Sequence, residues 1–405
     1  MQARDFHLRT CVDDLRMCAD DLRMRCDDLR ICAVHLLIGR DELRACKNGL
    51  RTDSEEFSSR KNTEIMSKLS EIPLSVLDLS PVIEGESPAD SFRNTLSLAQ
   101  TAERLGFTRF WLAEHHNMRG IASAATSVVI GYVAAGTSKI RVGSGGIMLA
   151  NHAPLAIAEQ FGTLESLYPN RIDLGLGRAP GSDQMTARAL RRTLQSDGDD
   201  FPELLEELRF FFQKPVENQR VQAVPGGGLN VPIWLLGSSG FSAQLAGQLG
   251  LPFAFAAHFS PESLLPALEL YRRSFRASDT LKKPHAMVAL NVFAAETDAE
   301  AERLATSQHQ SFLNLIRGKP GKIQPPVDSM DNIWTAQEKA LVQSRVGGSI
   351  IGNRAAVKAK LNKFLSETNA DELMINAMTY DHAARLRSYQ IVADVWREKA
   401  VRLAA

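Results

Sequence analysis

The amino-acid sequence predicts an α/β protein, a (β/α)8 TIM barrel with insertions, preceded by an N-terminal leader of different composition. From Pro73 onward, short apolar runs alternate with amphipathic stretches of helical periodicity, which is the pattern of repeated βα units. The runs are apolar throughout, as is typical of parallel strands that are covered on both faces. Glycines and polar residues follow the runs, at the positions where barrels build their active sites.

The strands are predicted from eight runs rich in β-branched and aromatic residues. They lie at residues 74–78, 108–113, 139–143, 171–176, 231–236, 252–256, 286–294 and 371–376. Helical stretches fall between them, and neighbouring parallel strands require such crossover connections. Two longer segments, residues 179–200 and 317–347, interrupt the alternation. They are predicted to be surface insertions, either walls and lids of the site or plain excursions.

The N-terminal segment differs from the rest of the chain. Residues 1–65 contain all five cysteines, a repeated Asp-Asp-Leu-Arg, and a leucine at every seventh position from Leu15 to Leu50. This low-complexity heptad pattern fits either a coiled-coil helix or a disordered or mis-extended leader upstream of a native start at Met66. We expect the second interpretation, with the barrel occupying residues 66–405. Residues 66–405 contain no cysteine, which excludes a disulfide framework in the barrel.

Charge and hydropathy exclude several classes of function. Lys+Arg and Asp+Glu number 47 each, so the charge balance does not favour a nucleic-acid partner. No apolar run approaches the about 18–20 residues that span a bilayer. The charged N-terminus lacks the apolar core of a secretory signal. We therefore expect no nucleic-acid or membrane partner and a cytoplasmic location.

The residues at or near the carboxyl ends of the predicted strands are candidate site residues, since they meet at one rim of a barrel. Core packing does not explain such a collection of glycines and polar side chains. In strand order they are Asp78, Glu114 to Asn117, Gly145 and Gly146, Gly177 and Arg178, Gly237 to Ser239, His258, Asn291 and Asn376.

Ser238 and Ser239 stand in a small-residue turn that leads from the fifth strand into a helix. Free backbone N–H groups and the positive end of the helix dipole make such a turn an anion site. Arg178, after the neighbouring strand, would add the charge for a phosphate. A serine N-cap and an unrelated surface arginine are the alternative. The Gly-Leu-Gly-Arg-Ala-Pro-Gly segment around Arg178 lacks the spacing of a dinucleotide fingerprint.

His115 and His116 are adjacent and have no metal-ligand spacing around them, so no metal site is predicted. Consecutive residues of an extended segment point in opposite directions. One histidine should therefore face the cavity as a general base or hydrogen-bond donor, and the other should pack outside. The pair Gly145–Gly146 marks either a close approach of the backbone to a flat group or a simple bulge.

Four segments of the chain resemble the luciferase-like flavin monooxygenases, the family named for bacterial luciferase. They begin at Gly106, Leu167, Pro232 and Ala370 and include the motifs EHHN and GRAPGSD. The resemblance spans roughly residues 72–395, and residues 1–65 have no counterpart in it. It implies a (β/α)8 barrel that holds FMN.

The resemblance also implies roles for single residues. It places acid–base chemistry on His115, flavin-phosphate contacts on Arg178 and the serine turn, and a non-prolyl cis peptide beneath the flavin ring at Gly145–Gly146. The chain departs from luciferase at Gly237, where luciferase has an acidic residue, and at Gly177, where it has cysteine. Light emission is therefore not implied. The predicted catalytic residues are His115 and His116, and the predicted cofactor-binding residues are Asp78, Gly145, Gly146, Arg178, Gly237, Ser238 and Ser239.

The implied function is FMN-dependent monooxygenation. Reduced, diffusible FMN and O2 would oxidise a small organic substrate that the sequence does not identify, and a separate flavin reductase would supply the reduced FMN. A homodimer is also expected. Two alternatives stay open: a deazaflavin-dependent oxidoreductase of the same fold, and a non-catalytic flavin-binding protein.

Overall fold

The computed structural model describes residues 69–179, 184–190 and 199–398. The predicted leader at residues 1–65 and most of the first insertion lie outside the described residues. The described strands are β1 (Leu74–Asp78), β2 (Arg109–Leu112), β3 (Arg141–Met148), β4 (Ile172–Gly177), β5 (Ile233–Gly237), β6 (Phe253–Ala256), β7 (Ala286–Ala294), β8 (Ile350–Gly352) and β9 (Glu372–Asn376).

The described α-helices alternate with these strands, as the periodicity predicts. No helix among them is both long and apolar enough to cross a membrane. They are α1 (Pro88–Arg104), α2 (Thr126–Ala135), α3 (Pro154–Leu167), α4 (Gln184–Ala189), α5 (Phe201–Phe212), α6 (Gly240–Leu249), α7 (Leu264–Ser274), α8 (Asp298–Ile316), α9 (Ala336–Val346), α10 (Arg354–Thr368) and α11 (His382–Arg397).

Eight of the described strands close into a parallel barrel. Strands β1 to β7 pair in chain order, and β9 completes the ring by pairing with both β7 and β1. The predicted (β/α)8 fold is thereby confirmed. The remaining strand, β8, pairs with residues 292–294 at the end of β7. The sequence did not predict β8, because three residues are too few to show a periodicity.

The third strand is longer than predicted. The apolar run indicated an end at Gly143, but β3 continues to Met148. Glycine is disfavoured in strands by its local propensity. Here the neighbouring strand β4 imposes the conformation, since Gly145 pairs with Gly175 and Met148 pairs with Gly177. Tertiary pairing therefore overrides local propensity in the segment that carries the glycine pair.

The second predicted insertion forms a small core together with α8. Helix α9 begins with a capping box, in which the Thr335 hydroxyl accepts from the Glu338 N–H and the Glu338 carboxylate accepts from the Thr335 N–H. Its buried Val342 and Val346 pack with Leu313 and Met330. This packing gives residues 317–347 a defined structure that their polar composition did not indicate.

Alternation along the strands separates two layers of the core. Val76 packs outward in the layer between the sheet and the helices, whereas Leu77 packs inward with Trp111 and Trp234. The two tryptophan rings meet edge to face at 5.3 Å. At the amino ends of the strands the interior holds charged groups, among them a 2.7 Å ion pair between Arg109 and Asp173. These ion pairs fill the amino-terminal end of the barrel interior.

Candidate active site

A cavity of about 180 Å³ opens at the carboxyl ends of the barrel strands. All eight barrel strands, or the residues that directly follow them, contribute to its mostly apolar wall. The structure thus brings together residues that are far apart in sequence. Seven of the nine predicted site residues line this cavity: His115, Gly145, Gly146, Arg178, Gly237, Ser238 and Ser239.

One end of the cavity has the character of an anion site. Helix α6 starts directly after β5, and its N-cap, Ser239, makes no side-chain capping hydrogen bond. Ser238, Ser239 and Ser242 all line the cavity beside the helix N-terminus, where free N–H groups attract anions. Gly237 has to be glycine, because a Cβ there would lie 2.7 Å from the Ser242 Cβ. The sequence did not single out Ser242, which reaches the cavity from the first turn of α6.

Arg178 stands at the same end of the cavity. Its guanidinium lies over the ring of Phe241, with 4.4 Å between the Arg178 Cζ and the ring centroid. No described carboxylate forms an ion pair with Arg178, so its charge is not neutralised within the described part of the chain. A guanidinium held by an aromatic ring beside a helix N-terminus is suited to a phosphate.

The glycine pair forms a wall of the cavity without side chains. The Gly145–Gly146 peptide bond is cis, which confirms the conformation that the family resemblance implied. A Cβ on Gly145 would lie 2.8 Å from the Leu77 Cδ1, and a Cβ on Gly146 would lie 2.7 Å from the Gly175 oxygen. Gly146 therefore requires glycine, because its contact is with backbone, whereas a Cβ on Gly145 would displace the end of the Leu77 side chain. The pair leaves a flat surface against which a planar ring can lie.

His115 faces the cavity and His116 does not, as the alternation along an extended segment predicts. Burial lowers the pKa of His115, and the neighbouring His116 adds to this, although Glu114 opposes both. The imidazole is consequently neutral at pH 7 and able to accept a proton. A catalytic role for His116, whose ring lies away from the cavity lining, stays a prediction.

His116 belongs to a cluster around the buried carboxylate of Glu114. Glu114 Oε1 lies 2.8 Å from His116 Nε2 and 2.9 Å from His152 Nε2, and Glu114 Oε2 accepts from the Met148 N–H at 3.0 Å. Burial raises the pKa of the Glu114 carboxyl, but these hydrogen bonds outweigh burial and the pKa lies below its usual value. The cluster ties the end of β2 to the end of β3, on either side of His115.

The Glu114 cluster is also the one group in the described part of the chain with the composition of a metal site. One ligand atom from each of Glu114, His116 and His152 lies within 4.8 Å of the others. His152 was not predicted as part of this site, because it lies far along the chain from His116. Both histidine Nε2 atoms lie within hydrogen-bond distance of the Glu114 carboxylate, and we assign no metal to the cluster.

Asp78 lies outside the cavity, contrary to the sequence-based expectation for this residue. Leu77 points into the barrel, so its neighbour Asp78 points outward toward the helices. There its Oδ1 binds the Arg385 guanidinium at 2.7 Å and its Oδ2 accepts from the Thr95 hydroxyl at 2.6 Å. Both charged groups are buried, and the pair ties β1 to α11. The prediction placed Asp78 correctly at the end of a strand but on the wrong face of the sheet.

A second histidine, His258, lines the cavity beside His115. Its Nδ1 is buried and has no hydrogen-bond partner among the described residues. Burial lowers the pKa of His258 to about 3, and the proximity of His115 contributes to the shift. His258 is therefore a neutral hydrogen-bonding group at neutral pH.

This depressed pKa predicts a loss of stability in acid. The unfolded chain would titrate His258 near the ordinary value of 6.5, whereas the folded chain does so at about 3. Between these values the unfolded state binds more protons, so the free energy of unfolding falls as the pH decreases from 6.5 toward 3. Urea titrations at several pH values would measure the slope. We expect a shallower slope for His258→Asn, and an identical slope in both proteins would contradict the assignment.

Comparison with known families gives a match over the barrel. The family described as luciferase-like monooxygenase matches residues 74–396. A luciferase-like monooxygenase of Escherichia coli (strain K12) is 54% identical over 81% of this chain and 98% of its own. The Bacillus subtilis (strain 168) protein YvbT is 61% identical over 80% of this chain and 97% of its own. An N-acetyl-S-alkylcysteine monooxygenase of B. subtilis (strain 168) is 35% identical over 80% and 98%.

Solved structures share the architecture. Apo-MsnO8 superimposes with a TM-score of 0.75 at 35% identity and covers 80% of this chain and 98% of its own. The oxygenating constituent of a Pseudomonas putida 3,6-diketocamphane monooxygenase, in complex with FMN, has a TM-score of 0.60 at 18% identity. The match covers 82% of this chain and 99% of that one. An F420-dependent secondary alcohol dehydrogenase also has a TM-score of 0.60, at 14% identity, over 81% and 99%. At these lower identities the two last comparisons concern the fold alone.

Proposed function

Because the chain belongs to the luciferase-like monooxygenase family, we propose that it is an FMN-dependent monooxygenase that oxidises a small organic substrate with O2. One observation carries the choice of cofactor. Arg178, the serine turn and the start of α6 form an anion site in the same cavity that His115 and the flat Gly145–Gly146 wall line. A ligand with a phosphate at one end and a planar ring at the other fits this arrangement.

Different residues would bind the phosphate and the ring of FMN. Arg178 and the N–H groups at the start of α6 would hold the phosphate, with the hydroxyls of Ser238, Ser239 and Ser242 as further donors. The apolar lining around the glycine pair would cover the ring and exclude water, which strengthens every polar interaction inside. When bound in its reduced form, FMN supplies the electrons for the activation of O2.

In this proposal the protein's own contribution to the chemistry is to hold or transfer a proton at His115. Its imidazole is neutral because burial lowers its pKa, so its unprotonated nitrogen can take a proton from a reacting group. The Glu114 cluster fixes the backbone on either side of it. A separate flavin reductase as the source of reduced FMN, and assembly as a homodimer, stay predictions.

Replacement of the phosphate-binding arginine should weaken FMN binding. We expect Arg178→Ala to cost about 1.5–3 kcal/mol of binding free energy, the scale of a hydrogen bond to a charged group. The quenching of FMN fluorescence measures the dissociation constant. Arg178→Lys should give an intermediate loss, since it keeps the charge but not the two-pronged contact. The exposed Arg273, in the last turn of α7, provides a control in Arg273→Ala. Equal affinities for Arg178→Ala and the control would place the phosphate elsewhere.

The function is tested by cofactor choice and by the source of the inserted oxygen. FMN and F420 are titrated into the protein, and the protein with reduced FMN is then mixed with ¹⁸O2 and a substrate panel. The panel includes N-acetyl-S-alkylcysteines, since one relative bears the name of a monooxygenase acting on them. We expect tighter binding of FMN and a product carrying one ¹⁸O atom. Tighter F420 binding with O2-independent turnover would favour hydride transfer, and FMN binding without turnover of any panel member would favour a flavin-binding protein.

A further inference from the structure

Three buried amide side chains meet at the carboxyl end of the barrel. Asn291 lies in β7, Asn376 is the last residue of β9, and Gln308 lies in the middle of α8. Asn291 and Asn376 are partners in the strand register. The three residues, here called the amide cluster, are only 2%, 1% and 2% exposed for Asn291, Asn376 and Gln308. Amides are rarely this deeply buried without a hydrogen-bonding role.

Asn291 is the hub of the amide cluster and has no hydrogen-bonding capacity left. Its Oδ1 accepts from Gln308 Nε2 at 3.1 Å and from Asn376 Nδ2 at 2.9 Å. Its Nδ2 donates to the His258 carbonyl at 2.6 Å and to the Ser349 hydroxyl at 3.3 Å. These bonds orient both outer amides with N–H toward Asn291, so their carbonyl oxygens point away from the hub.

Several acceptors around the hub lack a donor. Gln308 Oε1 and Asn376 Oδ1 are buried and have no hydrogen-bond partner among the described residues, and the same is true of Nδ1 of His258, whose carbonyl accepts from Asn291. A buried acceptor without a donor is costly, and native proteins rarely collect several of them at one place. The grouping indicates that a donor comes from outside the chain.

The amide cluster borders the proposed flavin cavity. Ala289 and Met374 line that cavity, and Asn291 and Asn376 follow them by two residues on the same strands, hence on the same face. His258, whose carbonyl accepts from Asn291, lines the cavity as well. The three amides do not themselves line the cavity, and they form the next layer beside its wall, toward the barrel mouth.

We propose that the amide cluster is the polar end of the substrate pocket and binds a neutral group with an N–H or O–H donor, such as a carboxamide or a hydroxyl. The group should be neutral, because the amide cluster contains no carboxylate and a buried unpaired cation is strongly disfavoured. The apolar part of the same molecule would lie along the apolar wall of the cavity. A site built to bond a donor discriminates strongly against an analogue that lacks it, because its acceptors are then left unpaired.

The inference rests on the proposed function, since it describes the substrate of the same site, but its test does not use turnover. N-methylbenzamide and methyl benzoate have nearly the same shape and differ in an N–H that is replaced by an oxygen. Each is titrated into the full chain, with and without oxidised FMN, and binding is followed by ligand-observed NMR. A failure of oxygenation would leave this result untouched.

We expect N-methylbenzamide to bind at least about tenfold more tightly than methyl benzoate, a ratio equivalent to about 1.4 kcal/mol. Gln308→Met and Asn376→Leu should abolish the preference. Gln310→Met makes the same replacement two residues further along α8, where the side chain bonds the Pro325 carbonyl, and should keep it. Equal affinities in the wild-type protein, or binding of neither compound, would overturn the proposal and leave ordered water as the partner of these acceptors.

Discussion

The His115→Asn variant should oxidise substrate about 10²–10⁴-fold more slowly than the wild-type protein, the usual contribution of a positioned acid–base group. His115 lines the cavity, and burial keeps its imidazole neutral. Asparagine retains a hydrogen-bonding side chain of similar reach but cannot take up a proton. FMN affinity should stay within a few-fold, since the proposed phosphate contacts lie on other strands. Single-turnover oxidation with any substrate found in the ¹⁸O2 panel measures the rate.

A matched control for His115→Asn is His309→Asn. His309 lies in α8 against the ring of Trp334, outside the cavity lining. Its replacement should leave the oxidation rate and the FMN affinity unchanged. If His115→Asn oxidises substrate as fast as this control, His115 is not the acid–base group. If His115→Asn instead loses FMN binding, the residue holds the cofactor rather than a proton.

The Arg385→Met variant should lose about 3–5 kcal/mol of unfolding free energy, the cost of leaving a buried charge without its partner. Arg385 and Asp78 are 2% and 0% exposed, and their side chains meet at 2.7 Å. Burial disfavours the charge on Arg385, but Asp78 outweighs burial and the pKa of Arg385 is raised. Methionine would fill the space of the arginine stem while removing its charge. Urea unfolding followed by circular dichroism measures the loss.

The double variant Asp78→Asn/Arg385→Met separates the charge effect from packing. It leaves no bare carboxylate in the core, so it should recover part of the stability that Arg385→Met loses. Asp78→Asn alone should bind FMN as the wild-type protein does, because Asp78 lies outside the cavity. A double variant no more stable than Arg385→Met would show that the pair acts through packing alone. Weaker FMN binding by Asp78→Asn would restore its predicted cofactor role.

Much of the fold could be predicted from local patterns. Each barrel strand carries an apolar run long enough to recognise, and alternating βα units leave few topologies open. The strand predictions were wrong at two kinds of segment. Strand β8 is too short to show a pattern, and β3 continues through the glycine pair because this segment pairs with β4. In both places, pairing with distant segments decides the structure.

The candidate site was predictable to the extent that it follows from strand ends. Arg178, the serine turn and the glycine pair come directly after or within predicted strands, and all of them line one cavity. Ser242 and His152 were missed because they sit on a helix and in a loop that only the folded chain brings to the rim. The partner of Asp78 is likewise far along the chain, in α11.

The sequence by itself determined the order of strands and helices, the rim where the site lies, and the residue types available there. Tertiary structure decided which face of each strand those residues occupy. His115 and Leu77 face inward while His116 and Asp78 face outward, because strand alternation has a fixed period but packing sets its phase. It also decided which distant groups meet, such as Gln308 with Asn376 around Asn291. Such contacts depend on how the helices pack against the closed sheet, which no local pattern records.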